Sequence, residues 1–196
     1  MRKNIKALAV LLVLAAIGPV AFSQESRKGP KAQEISIGVG GPSLWPLLAN
    51  IGYDSCGPRG MLESLYGTKY GDEHYTPSVT VTYHYNSKKT FSFATTLSYC
   101  GSYSYVYTGI NSSRDHLDTS TYLTILESAR LHYLNKETVR LYSATGVGIT
   151  LNKGGVLTSF QVTLLGVSFG KRIFGFAEYG LGMGYDLLHG GIGYRF

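Results

Sequence analysis

In the stretch "SVTVTYHYN", apolar and polar positions alternate with a period of two. Val79, Val81, Tyr83 and Tyr85 fall on one side, and Ser78, Thr80, Thr82 and His84 on the other. Such alternation is the mark of a strand with two unlike faces. After the polar turn "NSKK", the run "TFSFATTLSYCGSYSYVY" repeats it at greater length than the five or six residues typical of a soluble sheet. Phe91, Phe93, Leu97, Tyr99, Tyr103, Tyr105 and Tyr107 oppose Ser92, Ala94, Thr96, Ser98, Ser102 and Ser104. Further strands are predicted at 34–41, 119–134, 138–151, 156–169, 173–185 and 189–196, eight in all. Two of them break the alternation. Glu127 falls on the side of Leu123, Ile125 and Leu131, and the parity switches at Leu164-Leu165. A one-residue bulge in each strand would restore the facing.

Connection lengths alternate as well. The links "NSKK", "NKET" and "GKR" are tight, while those at 42–76 and 109–118 are longer. "NKGG" and "DLLHG", on the same side as the long links, are short and rich in turn residues. Short turns at one end and longer loops at the other is the arrangement of an outer-membrane barrel. The expected fold is therefore all-β, an eight-stranded antiparallel up-and-down transmembrane barrel with a long first extracellular loop at 42–76.

Polarity decides which face looks out. In a soluble lipocalin-like binding barrel the apolar face would line the interior. Here the other face is mostly Ser, Thr, Ala and Gly, which suits a narrow lumen better than a solvated exterior. Aromatics gather near the strand ends. Tyr83, Tyr85, Phe91, Phe93, Tyr133 and Phe174 lie by the tight turns, and Tyr75, Tyr103, Tyr105, Tyr107, Tyr122 and Tyr185 toward the loops. Two such girdles are expected at lipid headgroups.

The N-terminal run agrees with export. Arg2, Lys3 and Lys6 precede the apolar Ala7–Ala16, and Ala21-Phe22-Ser23 is a small-x-small cleavage pattern. Residues 1–23 read as a cleavable signal peptide, 24–33 as a short periplasmic segment and 34–196 as the barrel. Removing three basic residues lowers the formal charge from +6 to +3, so the basic balance is partly a targeting feature. A nucleic-acid partner is not implied.

The final strand, "GGIGYRF", places Ile192, Tyr194 and Phe196 on one face. It resembles the C-terminal signature of the small eight-stranded outer-membrane barrels, the OmpA-like and OmpX-like family. The resemblance implies residence in a Gram-negative outer membrane among lipid and lipopolysaccharide, and recognition of Ile192, Tyr194 and Phe196 by the barrel assembly machinery. It implies a monomer with a structural or surface-interaction role: membrane integrity, adhesion or ligand contact through the loops. Its lumen would be filled rather than an open pore.

Candidate chemistry lies on the inward face. Arg130, Arg140, Glu178 and Arg195 form an expected lumenal charge cluster, with Glu127 joining if a bulge turns it in. Glu178 and Arg195 sit on adjacent strands, and charges in a narrow lumen are costly unless paired. His84 and His132 are expected inward. His116 lies near Ser113, Asp115 and Asp118 in "NSSRDHLD", the only grouping that suggests a small membrane enzyme acting on lipid A or phospholipid. Residues of these types in a loop more often serve as turn residues, and neither catalytic, metal nor cofactor-binding residues are assigned. Cys56 and Cys100 are the only two cysteines; they either pair, stapling the first loop into the barrel mouth, or stay free. The first loop holds the only tryptophan, Trp45, and two apolar patches, and reads as a cap over the mouth or as a contact surface for an extracellular partner.

Overall fold

The computed structural model describes residues 33–44, 69–70, 74–85, 90–108 and 113–196. They form ten strands: β1 (Gln33–Gly40), β2 (Lys69–Tyr70), β3 (His74–Tyr75), β4 (Ser78–Tyr85), β5 (Phe91–Thr108), β6 (Ser113–Asn135), β7 (Val139–Asn152), β8 (Gly155–Gly170), β9 (Ile173–Gly182) and β10 (Leu187–Arg195). Pairing runs β1-β4-β5-β6-β7-β8-β9-β10 and returns to β1, antiparallel throughout. The sheet is thus a closed eight-stranded barrel without a free edge along its ring. Closure joins Ile37 to Ile192 and Glu34 to Arg195 across β1 and β10.

The short strands β2 and β3 both lie along β5, continuing the line of β4 beyond the ring. Pro77, without an N–H, interrupts that line. Thr76 bridges the gap by donating its N–H to the Gly101 carbonyl (2.9 Å) and accepting the Gly101 N–H on its hydroxyl (2.7 Å). The predicted loop 42–76 therefore ends in strand rather than coil. The predicted loop 109–118 changes likewise, since β6 already begins at Ser113.

Alternation sets the facing of every strand. Ile35, Ile37 and Val39 point out while Glu34 and Ser36 point in; Val79 and Val81 oppose the buried Ser78, Thr80, Thr82 and His84. The bulge expected at Leu164-Leu165 is present. Ser143 of β7 faces both leucines, which point outward, and its hydroxyl donates to the Leu164 carbonyl (2.8 Å). The bulge expected near Glu127 is absent. The irregularities in β6 lie instead at Asp115 and Tyr133, near its two ends, so Glu127 keeps the outward facing of strict alternation. There its carboxylate accepts a hydrogen bond from the Thr95 hydroxyl on β5 (2.8 Å). A local partner, not a change of face, accommodates the charge.

The expected strand 173–185 stops at Gly182, and the chain then folds into the barrel. Met183 and Tyr185, expected outside, are buried in the lumen. Gln161 holds this inturned segment: its Oε1 accepts the Gly184 and Tyr185 N–H groups (3.0 and 3.3 Å), and its Nε2 donates to the Tyr185 carbonyl (3.2 Å). Ser98 donates to the Gly184 carbonyl from the opposite wall (2.6 Å). A Cβ on Gly184 would lie 2.9 Å from Leu126 Cδ1, so glycine lets the plug pass. Two other aromatics assigned to the outer girdles, Tyr122 and Phe174, are also buried inside.

Size matching fills the remaining lumen. Across from the Tyr142 ring stands Gly166, where a Cβ would come within 2.2 Å of the ring; across from Phe174 stands Gly193, with 2.3 Å. Rings and bare backbone alternate around the wall because the cylinder has no spare width. Gly166→Leu is expected to lower the unfolding free energy by about 1–3 kcal/mol, the usual cost of overpacking. Urea titration would register the loss, and adding Tyr142→Leu should recover part of it.

Candidate functional site: the lumenal ion network

The strand register brings charges on five different strands into the half of the barrel nearest the tight turns. Glu34 comes from β1, Arg130 from β6, Arg140 from β7, Glu178 from β9 and Arg195 from β10. All four residues expected in the cluster are there, but their pairing differs from expectation. Glu178 does not pair with Arg195 on the next strand. It takes a hydrogen bond from Arg130 Nη2 (2.6 Å) and from the Tyr142 hydroxyl (2.6 Å) on Oε1. Its Oε2 meets the Tyr185 hydroxyl (2.9 Å) and His189 Nδ1 (2.9 Å). Four side chains thus converge on one carboxylate. Charge-assisted bonds of this kind offset the cost of burying it.

Arg195 pairs instead with Glu34, Nε to Oε1 at 3.4 Å, and Arg140 Nη1 bonds the same carboxylate oxygen. The sequence analysis passed over Glu34, although it alternates with Ile35 and Ile37 just as the polar residues of β4 alternate with its valines. The rule that found Arg140 was sufficient to find it. His189 was missed for a different reason: "DLLHG" reads as a turn, whereas β10 starts at Leu187 and aims that imidazole inward.

Arg195 is only 1 % exposed and closes the turn end of the barrel. Its guanidinium donates to the Gly170, Lys171 and Glu137 carbonyls, the last two at 3.2 and 3.3 Å, and to Ser168 Oγ at 2.8 Å. It also lies 4.1 Å from the centre of the Phe174 ring. One side chain on the last strand therefore ties down the β6–β7 and β8–β9 turns. Only a planar fork with donors on several edges can do this.

Three hydroxyl–imidazole pairs line the same interior. Ser36 meets His84 Nε2 (3.2 Å), Ser92 meets His132 Nε2 (2.8 Å), and Thr80 meets His189 Nε2 (2.7 Å). The last pair continues through His189 Nδ1 to Glu178, which gives a hydroxyl–imidazole–carboxylate relay. A relay of this order can activate a nucleophile. Thr80, however, is 1 % exposed and faces a packed lumen, so a substrate has no approach to its hydroxyl.

The loop grouping did not materialise as a loop. Ser113, Asp115, His116 and Asp118 belong to β6, and the side chains of the first three lie outside the described residues. Among the described residues no group of three or more His, Cys, Asp or Glu is arranged to hold a metal. Cys100 is a buried free thiol, while Cys56, Trp45 and the rest of 45–68 lie outside the described residues. Ile192, Tyr194 and Phe196 share the outer face of the closing strand. Neither a scan against protein-family models nor a search of curated proteins returns a match to this chain.

Because the Arg195 guanidinium joins two turns, a carboxylate and a ring, Arg195→Ala is expected to cost on the order of 3 kcal/mol or more. Arg195→Lys keeps the charge but not the fork, and should recover less than half of that loss. Equilibrium unfolding of the three proteins in one detergent measures both.

Proposed function

We propose that this chain is a small outer-membrane β-barrel of a Gram-negative bacterium, similar in kind to the OmpA-like and OmpX-like proteins. Its role would be structural or one of surface interaction. The observation that carries the reading is the inverted polarity of the barrel. Every strand of the ring turns large apolar residues outward, among them Ile37 (52 % exposed), Phe169 (66 %) and Ile192 (63 %). Inside, the wall is built mainly from Ser, Thr, Gly and paired charges, with a few fitted rings such as Tyr142 and Phe174. A water-soluble barrel has the opposite distribution, and an exposed apolar surface of this extent calls for an apolar solvent.

On this reading the tight turns face the periplasm and the longer links face outward, where the residues of the first loop would meet an extracellular partner. The signal peptide 1–23 would be removed on export. Ile192, Tyr194 and Phe196 would present the closing strand to the assembly machinery, and the barrel would stand as a monomer among lipid and lipopolysaccharide. The Gln161-held plug and the Arg195 floor argue against an open pore. Burial of the Thr80–His189–Glu178 relay argues against catalysis by that relay.

Expressed in a Gram-negative host, the chain should fractionate with outer membranes, require detergent for extraction and migrate differently on gels before and after boiling. Recovery as a detergent-free, water-soluble monomer would overturn the proposal. Glu127 provides a second check. In lipid its outward carboxylate is a burden, so Glu127→Leu should raise barrel stability in bilayers by on the order of 1 kcal/mol. A barrel surrounded by water would gain nothing from that exchange.

A further inference from the structure

Between the Arg195 floor and the Glu178 cluster lies a small internal pocket whose walls include Glu34, Ser36, His84, Ser92, Arg130, His132, Arg140 and Tyr142. It has room for about one particle of water size. Four nitrogens of its lining residues have no protein hydrogen-bond partner among the described residues: Nδ1 of His84, Nδ1 of His132, Nε of Arg130 and Nε of Arg140. Three of these side chains are more than nine-tenths buried, His84, His132 and Arg140. Leaving buried polar atoms unmatched is costly, so four of them on residues that line one pocket point to an occupant.

The chemistry of the four selects its class. A guanidinium Nε–H can only donate. The imidazoles are held at their far nitrogens by Ser36 and Ser92. When those serines donate to Nε2, each Nδ1 carries the proton and becomes a donor too. Charge points the same way. Three guanidiniums, of Arg130, Arg140 and Arg195, face two carboxylates, Glu34 and Glu178, which leaves one positive charge in excess with the histidines neutral.

We propose that this pocket binds a single monatomic anion of the halide class, held by Arg130, Arg140, His84 and His132. The ion would complete the charge balance of the lumen and couple four strands, β4, β6 and β7 directly and β1 through Ser36. The site follows from the interior geometry alone and stands whether or not the barrel resides in a membrane.

Bromide is the probe. Crystals of the full chain grown with sodium bromide should show one anomalous peak in this pocket, in contact with Arg140 Nε and His84 Nδ1. At constant ionic strength, exchanging gluconate for bromide at ten times its dissociation constant should raise the folded-to-unfolded ratio about tenfold by mass action. His84→Leu should abolish that dependence. Should the variant not fold, the two wild-type measurements decide alone. A pocket without an anomalous peak, or unfolding indifferent to the exchange of gluconate for bromide, would overturn the assignment.

Discussion

Eight strands close into a cylinder barely wide enough for its own side chains, and that shortage of width governs the interior of this protein. An inward residue has three ways to fit. It can be small, as are Ser36, Thr82 and Ser98. It can lie across a bare backbone, as Tyr142 lies over Gly166 and Phe174 over Gly193. Or it can be long and reach along the axis to a partner on a distant strand, as Arg140 reaches Glu34 and Arg130 reaches Glu178. The third solution lets Arg130 and Arg140 reach carboxylates across the lumen, while Arg195 meets Glu34 beside it in the sheet.

Such pairs do not stabilise merely by being ionic. Desolvating two charges can cost as much as their attraction returns, and only additional hydrogen bonds tip the balance. Glu178 illustrates this with four donors around its two oxygens. Arg195 does so with three carbonyls, a serine, a carboxylate and a ring. The network also adds specificity. Each member comes from a different strand, so a slip of one residue anywhere in the ring would turn a charge outward and leave its partner buried alone.

Much of this was legible along the chain because period two is a local property. The inward facing of Arg140, His84, His132 and Glu178, and the outward facing of Ile192, Tyr194 and Phe196, follow from counting residues. So does the bulge at Leu164-Leu165, since two adjacent apolar residues in a two-faced strand require one. The same counting misplaced Tyr185 and Met183, because nothing local says that the chain leaves the sheet after Gly182. It misjudged Glu127 too, by assuming that a carboxylate must turn inward when a threonine on the next strand could satisfy it.

Sequence alone therefore determined the number of ring strands, their order and the face that most of their residues present, since these depend on alternation and on the length of the turns. Tertiary structure alone decided which inward groups meet. Register around a closed ring sums contributions from every strand pair and bulge, so Glu34 and Arg140, 106 positions apart, become partners only once the cylinder is complete. The plug made by Met183 to Tyr185 belongs to the same class, because its anchors, Gln161 and Ser98, stand on walls that no local pattern connects to it.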